Sequence, residues 1–496
     1  MRNRDIALNP NKLVQFLNKL PHDFTKGDII RFISENHIEM LNFRYVGADG
    51  RLKTLNLVVN NLTDLDYILS TGERVDGSSL FPYIDPSQSD LYVIPRYNTA
   101  FINPFAQIPT LDILCAFYTA KGEPYISSPE QILKSAHASL KKHTGFTFNA
   151  MGELEYYVIS QKEALFPAPP QKGYHESTPF TKWENLRIDA MQAIASTGGK
   201  IKYGHSEVGS ISGKDMDMEQ HEIEFLPVDV EDAADQLVIA KWIIRVLGYI
   251  YGVDITFAPK ISEGHAGSGF HFHTRLMKNG KNKMIVKEEL SNAARKAISG
   301  FLTLAPSLTA FGNTVPTSYL RLVPHQEAPT HICWGDRNRS VLVRVPLGWI
   351  GVKNMANHAN PQDSSPLSIP LIAQTVEFRA PDGSADIFLT LAGLTIAAKM
   401  GLNGKKSLKI AEDLYASFNV SKSKTKKFKQ LPTSCWESAD QLKKQRKFYE
   451  ADGVFPPEVI DWYISKLKSY KDNKLSEKLY RKPAKIKKLV EKYLHA

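Results

Sequence analysis

The clearest pattern in the chain is a short alternation, Gly152-Glu153-Leu154-Glu155-Tyr156-Tyr157-Val158. Tyr156, Tyr157, Val158 and Ile159 are strand formers, so the stretch predicts a β-strand. Successive strand side chains point to opposite faces, which puts Glu153 and Glu155 on one side and Leu154 and Tyr156 on the other. The same two-sided pattern returns later. Glu222 and Glu224 flank Ile223, His271 and His273 alternate with Phe270 and Phe272, and Glu377 and Arg379 are backed by Val376 and Phe378. Glu207, after His205, belongs to the same region. A single Glu-x-Glu reads as a solvated strand face. Its recurrence predicts a curved sheet with an ionisable concave face, because carboxylates on half-buried strands are costly unless a cation sits before them.

The remaining pattern fills in the elements around this sheet. Residues 11–40 predict two short helices, the second entered at Thr25-Lys26-Gly27-Asp28. Residues 41–60 predict two strands about the turn Gly47-Ala48-Asp49-Gly50. A helix at 64–70 and strands at 90–95 and 112–118 complete a small α+β unit that ends near 121–124. Beyond it come predicted helices at 130–143, 185–196, 231–252, 291–308 and 387–400. Between them lie strands at 205–208, 221–225, 269–274 and 375–379. Residues 160–182, with Pro-Ala-Pro-Pro, predict a surface excursion, and residues 209–218 an insert that loops out between Glu207 and Glu222. The last ninety-odd residues are helical and Lys-rich.

Composition changes this picture in two respects. At 496 residues and 43% hydrophobic content the chain has material for a large core and two domains. The net charge of +10 is concentrated in residues 466–496, so the body is not a polyanion binder. That tail reads as a solvated amphipathic helix with Leu475, Leu479, Ile486, Leu489 and Tyr493 as its apolar positions, interrupted at Pro483. This is preferred to a basic nucleic-acid arm. Three cysteines without CxxC spacing argue against a disulfide framework and for a reducing compartment. The apolar stretches at 237–253 and 387–398 are interrupted by Lys241 and Arg245 or too short to span a bilayer. A cytoplasmic protein without membrane or nucleic-acid partners is expected.

The side chains on the polar face indicate chemistry. Carboxylates with imidazoles and no thiolate favour Mg²⁺ or Mn²⁺ over structural zinc. Arg321, Arg337, Arg339, Arg344 and Arg379 form a second, cationic constellation suited to carboxylate and phosphate oxygens. Divalent ions beside such arginines suit phosphoryl transfer. No GxxxxGK[ST] occurs, and Gly264, Gly267 and Gly269 lack dinucleotide-binding spacing.

Taken in order, several segments resemble the glutamine synthetase family, most of all the bacterial type I enzymes. They are Val75-Asp76-Gly77-Ser78-Ser79, Gly152-Glu153-Leu154-Glu155, His205-Ser206-Glu207-Val208, Glu222-Ile223 and Gly267-Ser268-Gly269-Phe270-His271-Phe272-His273. The loop from Arg321 to Pro329, Asn338-Arg339-Ser340 and Glu377-Phe378-Arg379-Ala380-Pro381-Asp382 complete the set. The resemblance implies an α+β fold: a β-grasp-like domain over residues 1–124, and a catalytic domain over 125–496 whose curved antiparallel sheet is surrounded by helices. It implies a homo-oligomer of two stacked hexamers, with active sites at subunit interfaces. Glu155, Glu207 and Glu222 would hold one divalent ion, and Glu153, His271 and Glu377 a second beside the phosphates of ATP. His273 and Arg344 would lie at the nucleotide. Gly267 and Arg321 would orient glutamate, and Arg339 and Arg379 would stabilise the transferring phosphoryl group. Glu327 would sit on a shielding flap, and Asp76 of an adjacent subunit would bind and deprotonate ammonium.

The activity implied is ATP-dependent formation of glutamine through γ-glutamyl phosphate. The alternatives are a γ-glutamyl-amine ligase acting on a larger amine, or a non-catalytic scaffold. An intact Asp-Gly-Ser-Ser favours ammonium, and the retained carboxylates favour catalysis. Two positions depart from the family pattern: Ala266 stands where an Asn is usual, and Thr375 where many members place an Arg that touches ATP.

Overall fold

The computed structural model describes residues 6–323, 328–348, 354–366, 373–417, 420, 428–479 and 482–495. Thr25 and Asp28 form a reciprocal capping box at the start of helix α1 (Lys26–Glu35). The hairpin β1 (Met40–Val46) and β2 (Leu52–Val58) follows. Helix α2 (Leu62–Thr71), β3 (Glu73–Asp76), β4 (Asp90–Pro95) and β5 (Thr110–Thr119) follow, giving the strand order β2-β1-β5-β4-β3, with the short strand Phe101–Ile102 also paired to β5. The central pair β1/β5 is parallel and its flanking pairs are antiparallel, a β-grasp arrangement. Ile29, Phe32 and Ile33 of α1 pack on Phe43, Ile113 and Phe117.

The second unit is built on a ten-stranded sheet with helices against it. In chain order its main elements are α3 (Pro129–Thr144), β6 (Thr147–Gln161), α4 (Glu184–Ser196), β7 (Ile201–Ser212), β8 (Met216–Phe225) and α5 (Val230–Tyr251). They continue as β9 (Phe270–Lys278), α6 (Asn292–Gly312), β10 (Trp334–Asp336), β11 (Val343–Val345), β12 (Val376–Phe378) and α7 (Ile387–Asn403). The order β10-β11-β12-β9-β6-β8-β7 is antiparallel except for β10/β11, and three two- or three-residue strands join its margins. The curved sheet turns one face to the helices. Leu154, Ile223, Phe270, Phe272 and Phe378 are buried there in the main core. Gly152 belongs to this packing, since a Cβ on it would lie 2.7 Å from the Phe270 ring and 2.9 Å from Leu237 of α5.

Residues 209–218 do not loop out. They lengthen β7 and β8 into one hairpin, with Ser210 opposite Glu219, Ile211 opposite Met218 and Ser212 opposite Asp217. A register shift between Ser206 and Ser210 absorbs the added length, as a bulge does. Gly209 sits at that shift, where a Cβ would overlap the Tyr157 hydroxyl at 2.0 Å.

One ion pair and one cation–π contact tie the units together. Arg96 forks onto Asp235 of α5 at 2.8 and 2.9 Å. Asp112, fully buried, accepts from Arg44 (2.6 Å) and Asn42 (2.8 Å), and the Arg44 guanidinium lies 4.5 Å from the Trp242 ring centre. No single helix among the described residues is long and apolar enough to cross a membrane. The three cysteines are buried thiols.

Helices α6 and α7 cross in backbone contact. A Cβ on Gly300 would come 1.9 Å from the Ala397 carbonyl oxygen, and one on Gly401 2.1 Å from that of Lys296. Gly300→Ala therefore forces the helices apart, and a loss of about 1–3 kcal/mol in chemical denaturation is expected. Gly122→Ala, where a Cβ meets nothing within 4 Å, is the control for mutation without a clash; its positive φ of 76° still costs about 1 kcal/mol.

Candidate active site

Strand register assembles the polar face. His271 lies opposite Glu153 across β9/β6, Glu153 opposite Glu224 and Glu155 opposite Glu222 across β6/β8, and Glu222 opposite His205 across β8/β7. On the other flank His273 pairs with Glu377, and Glu377 with Arg344. Even-numbered positions on β8 and odd-numbered ones on β6 and β9 thus share the concave side.

Glu153 is the hub. Its Oε2 lies 2.9 Å from His271 Nδ1 and its Oε1 2.8 Å from His273 Nε2. Burial opposes ionisation of Glu153, but the two imidazoles outweigh it and hold the carboxyl well below the usual range. Glu377 receives Arg379 Nε and Arg344 Nη1, each at 2.9 Å, one on each carboxylate oxygen. Donor atoms of Glu153, His273 and Glu377 come within 4.8 Å of one another, close enough to share an ion. Sequence resemblance placed His271 in that set and His273 at the nucleotide. In the structure both imidazoles face Glu153, because they are one pleat apart on β9. His271 also reaches to 3.5 Å from Glu377 and is met on its Nε2 by Arg321 Nη2 at 3.2 Å. His273 Nδ1 lies 2.9 Å from the hydroxyl of Thr375.

The second group centres on Glu222. Burial, and then the like charges of Glu153, Glu155, Glu207 and Glu224, push its carboxyl well above the usual range. Glu155 accepts from Gln220 Nε2 (3.0 Å) and from the Gly269 N–H (2.7 Å). Glu224 is paired with Lys202 at 2.6 Å, and His205 Nε2 lies 3.3 Å from Glu222. A buried patch of carboxylates with imidazole and no thiolate is the donor set of a hard divalent cation, so the residues present fit such an ion.

A glycine loop, residues 259–269, borders this patch. Gln220 Nε2 donates to the Gly267 carbonyl at 3.2 Å. Ala266, lacking the Asn side chain usual there, is held through its backbone: Gln171 Oε1 accepts its N–H (2.7 Å) and Tyr157 Oη donates to its carbonyl (2.9 Å). Arg321 is buried and donates to the carbonyls of Ala380 (2.8 Å) and Pro381 (3.2 Å), so it braces the segment after β12. Arg379 donates to the Arg339 carbonyl, while the Arg339 side chain is exposed. Asp76 lies on β3, exposed, its carboxylate accepting from the hydroxyls of Ser78 (2.7 Å) and Ser79 (2.8 Å), which depress its pKa. Glu327 lies outside the described residues.

Gln220 could have been found from the sequence, since it precedes Glu222 and Glu224 at the same two-residue spacing. Gln171 could not, because nothing in the excursion at 160–182 marks which of its polar side chains turns inward.

The β-grasp model of glutamine synthetase matches residues 37–120, and the model of the glutamine synthetase catalytic domain matches residues 127–480. The chain belongs to the glutamine synthetase family. Relatives within the family include the glutamine synthetase of Thermococcus kodakarensis, 30% identical over 426 residues, covering 84% of this chain and 87% of that protein. That of Clostridium saccharobutylicum is 28% identical over 442 residues, covering 87% and 92%. In fold, the chain is similar to Plasmodium falciparum glutamine synthetase, with TM-score 0.75 at 20% identity over 92% of this chain and 99% of that one. It is also similar to GmaS in complex with ADP, with TM-score 0.70 at 18% identity over 90% and 96%.

Glu222 gives this family site a testable electrostatic signature. Its raised folded-state pKa means that protein freed of metal loses stability as pH rises from the ordinary carboxylate range through that higher value. Glu222→Gln removes this dependence. With chelator at neutral pH its thermal midpoint is expected to rise by about 2 °C or more. Divalent-ion affinity by calorimetry is expected to fall by at least about tenfold.

Proposed function

We propose that the protein joins ammonia to glutamate at the expense of ATP, giving glutamine, ADP and phosphate. The observation that carries this reading is the pairing of two groups on one sheet face. One is a Glu222-centred carboxylate patch, and the other a Glu377 carboxylate flanked by Arg344 and Arg379. Glu155, Glu207 and Glu222 would hold one divalent ion and Glu153, Glu377 and a β9 imidazole the other. Such ions supply Lewis-acid charge neutralisation at phosphate oxygens.

In this reading the γ-carboxylate of glutamate attacks the γ-phosphorus of ATP and ADP leaves, forming γ-glutamyl phosphate. Arg339 and Arg379 stabilise the transferring phosphoryl group, Gly267 and Arg321 position glutamate, and His273 and Arg344 line the nucleotide end. Ammonium enters, gives up a proton towards Asp76 and attacks the acyl carbon, and phosphate leaves. Asp76 suits the task, since its hydroxyl partners keep it ionised and it is exposed for contribution to a neighbouring protomer. Glu327 keeps water from the acyl phosphate. We further propose the two-hexamer assembly of type I relatives, Mg²⁺ or Mn²⁺ as the ions, and a cytoplasmic setting.

One observation favours a second reading, in which the acceptor is a larger amine. Beside Glu222 the rings of Tyr174, His175, His205 and Tyr203 form a continuous wall, with Tyr174 and His175 stacked at 4.1 Å and His175 and His205 at 4.3 Å. Such a wall suits an alkylammonium chain.

Phosphate release with glutamate, ATP and a divalent ion, run with ammonium and in parallel with methylamine, ethanolamine and polyamines, separates the two readings. Ammonium-dependent glutamine is expected, and turnover confined to the larger amines would replace the first reading by the second. Glu377→Gln is expected to lower kcat by at least about 100-fold. Glu327→Ala is expected to lower the glutamine formed per phosphate released.

A further inference from the structure

The C-terminal helix α8 (Pro483–Lys492) lies beyond the segment matched by the catalytic-domain model, which ends at residue 480. Its lysines 485, 487, 488 and 492 face solvent, but Val490 is buried. Leu489 is half-buried, and Val490 turns inward with Ile486 and Leu494. These three close a small hydrophobic cluster, separate from the main core, that contains Tyr157, Ala258 and Ile261.

That cluster lies against the glycine loop. Tyr157, wholly buried within it, donates its hydroxyl to the Ala266 carbonyl at 2.9 Å. Ala258 and Ile261 flank Pro259, whose carbonyl accepts the Ser268 N–H at 3.1 Å. The next residue, Gly269, donates to Glu155. The tail is clasped past the helix as well. Thr256 donates to the Leu494 carbonyl, Arg51 of the β-grasp unit donates to the His495 carbonyl at 2.9 Å, and His495 lies 3.4 Å from Asp254. A continuous path of contacts thus runs from α8 through the Tyr157 ring to the backbone of residues 266–269.

We infer that α8 is a strut that fixes the glycine loop, with Val490 and Tyr157 as positioning residues for the substrate this loop holds. The substrate identity rests on the proposed function; the mechanical coupling does not. The cluster also takes in Ile211, Met218 and Leu320, and the C-terminal segment supplies three of its nine apolar side chains. Undocking α8 frees the ring, and with it the hydroxyl that holds Ala266 in place of the Asn side chain usual at that position. The consequence falls on the orientation of the bound substrate, while Glu153, His273 and Glu377, held by strand register, keep their places.

The test uses the full chain carrying Val490→Asp, with Val490→Ile as the conservative counterpart and Tyr157→Phe to remove only the hydroxyl. Hydrogen exchange of the 260–269 amides and steady-state kinetics with varied glutamate are read together. Val490→Asp is expected to speed exchange across the loop and raise the glutamate KM roughly tenfold, with kcat within about threefold. Tyr157→Phe should move both readouts in the same direction by less, and Val490→Ile should match the parent. Unchanged loop exchange in both Val490→Asp and Tyr157→Phe overturns the strut. So does a uniform loss of kcat and thermal midpoint without a selective rise in KM in Tyr157→Phe. If the parent does not accept glutamate, the proposed function fails, and loop exchange alone still decides the strut.

Discussion

Like charges held one pleat apart dominate this molecule. Strand geometry fixes Glu153 and Glu155 on the same side of β6 and sets Glu222 and Glu224 beside them on β8, so the carboxylates cannot separate without breaking the sheet. Proteins tolerate such crowding when counter-charges are equally fixed, and here they are. Two imidazoles face Glu153, two guanidiniums grip Glu377, and Lys202 reaches Glu224. Glu222 has the His205 imidazole on one side and carboxylates around it, and burial with those like charges raises its affinity for a proton. The back of the sheet answers the same constraint. Phe270, Phe272, Phe378 and Leu154 pack the strands against α5 and α6, so the packed core resists the repulsion on the front.

Much of this was legible in the chain because β-strands write their two faces as alternating letters. The two-residue spacing located the concave face and the Thr25 capping box located a helix start, while residue types indicated hard-cation chemistry. What was not legible depended on register or on distant contacts. The hairpin formed by residues 201–225 continues through the insert because a bulge at 206–210 resets the pairing, and no single residue announces that shift. Which imidazole faces which carboxylate is a matter of cross-strand partners. Both His271 and His273 share a face, but only pairing with β12 sets His273 opposite Glu377.

The arginines show the same limit. Their types and clustering suggested anion recognition, yet Arg321 and Arg379 also have structural duties that sequence does not reveal. Arg321 braces the carbonyls after β12 and Arg379 bridges Glu377 to the Arg339 backbone. Their positive charge is therefore delivered from positions already rigid before any ligand enters, which lowers the cost of reorganisation on binding.

Gln171 links two segments that border the candidate site. Its side chain crosses from the excursion at 160–182 to the Ala266 N–H, so the segment bearing Tyr174 and His175 and the loop bearing Gly267 are mechanically one piece. Surface insertions usually drift independently of the sites they border. This one is tied to the loop, so an altered excursion bears directly on the backbone at Ala266 and on the Gly267 loop, and the two borders of the site change together.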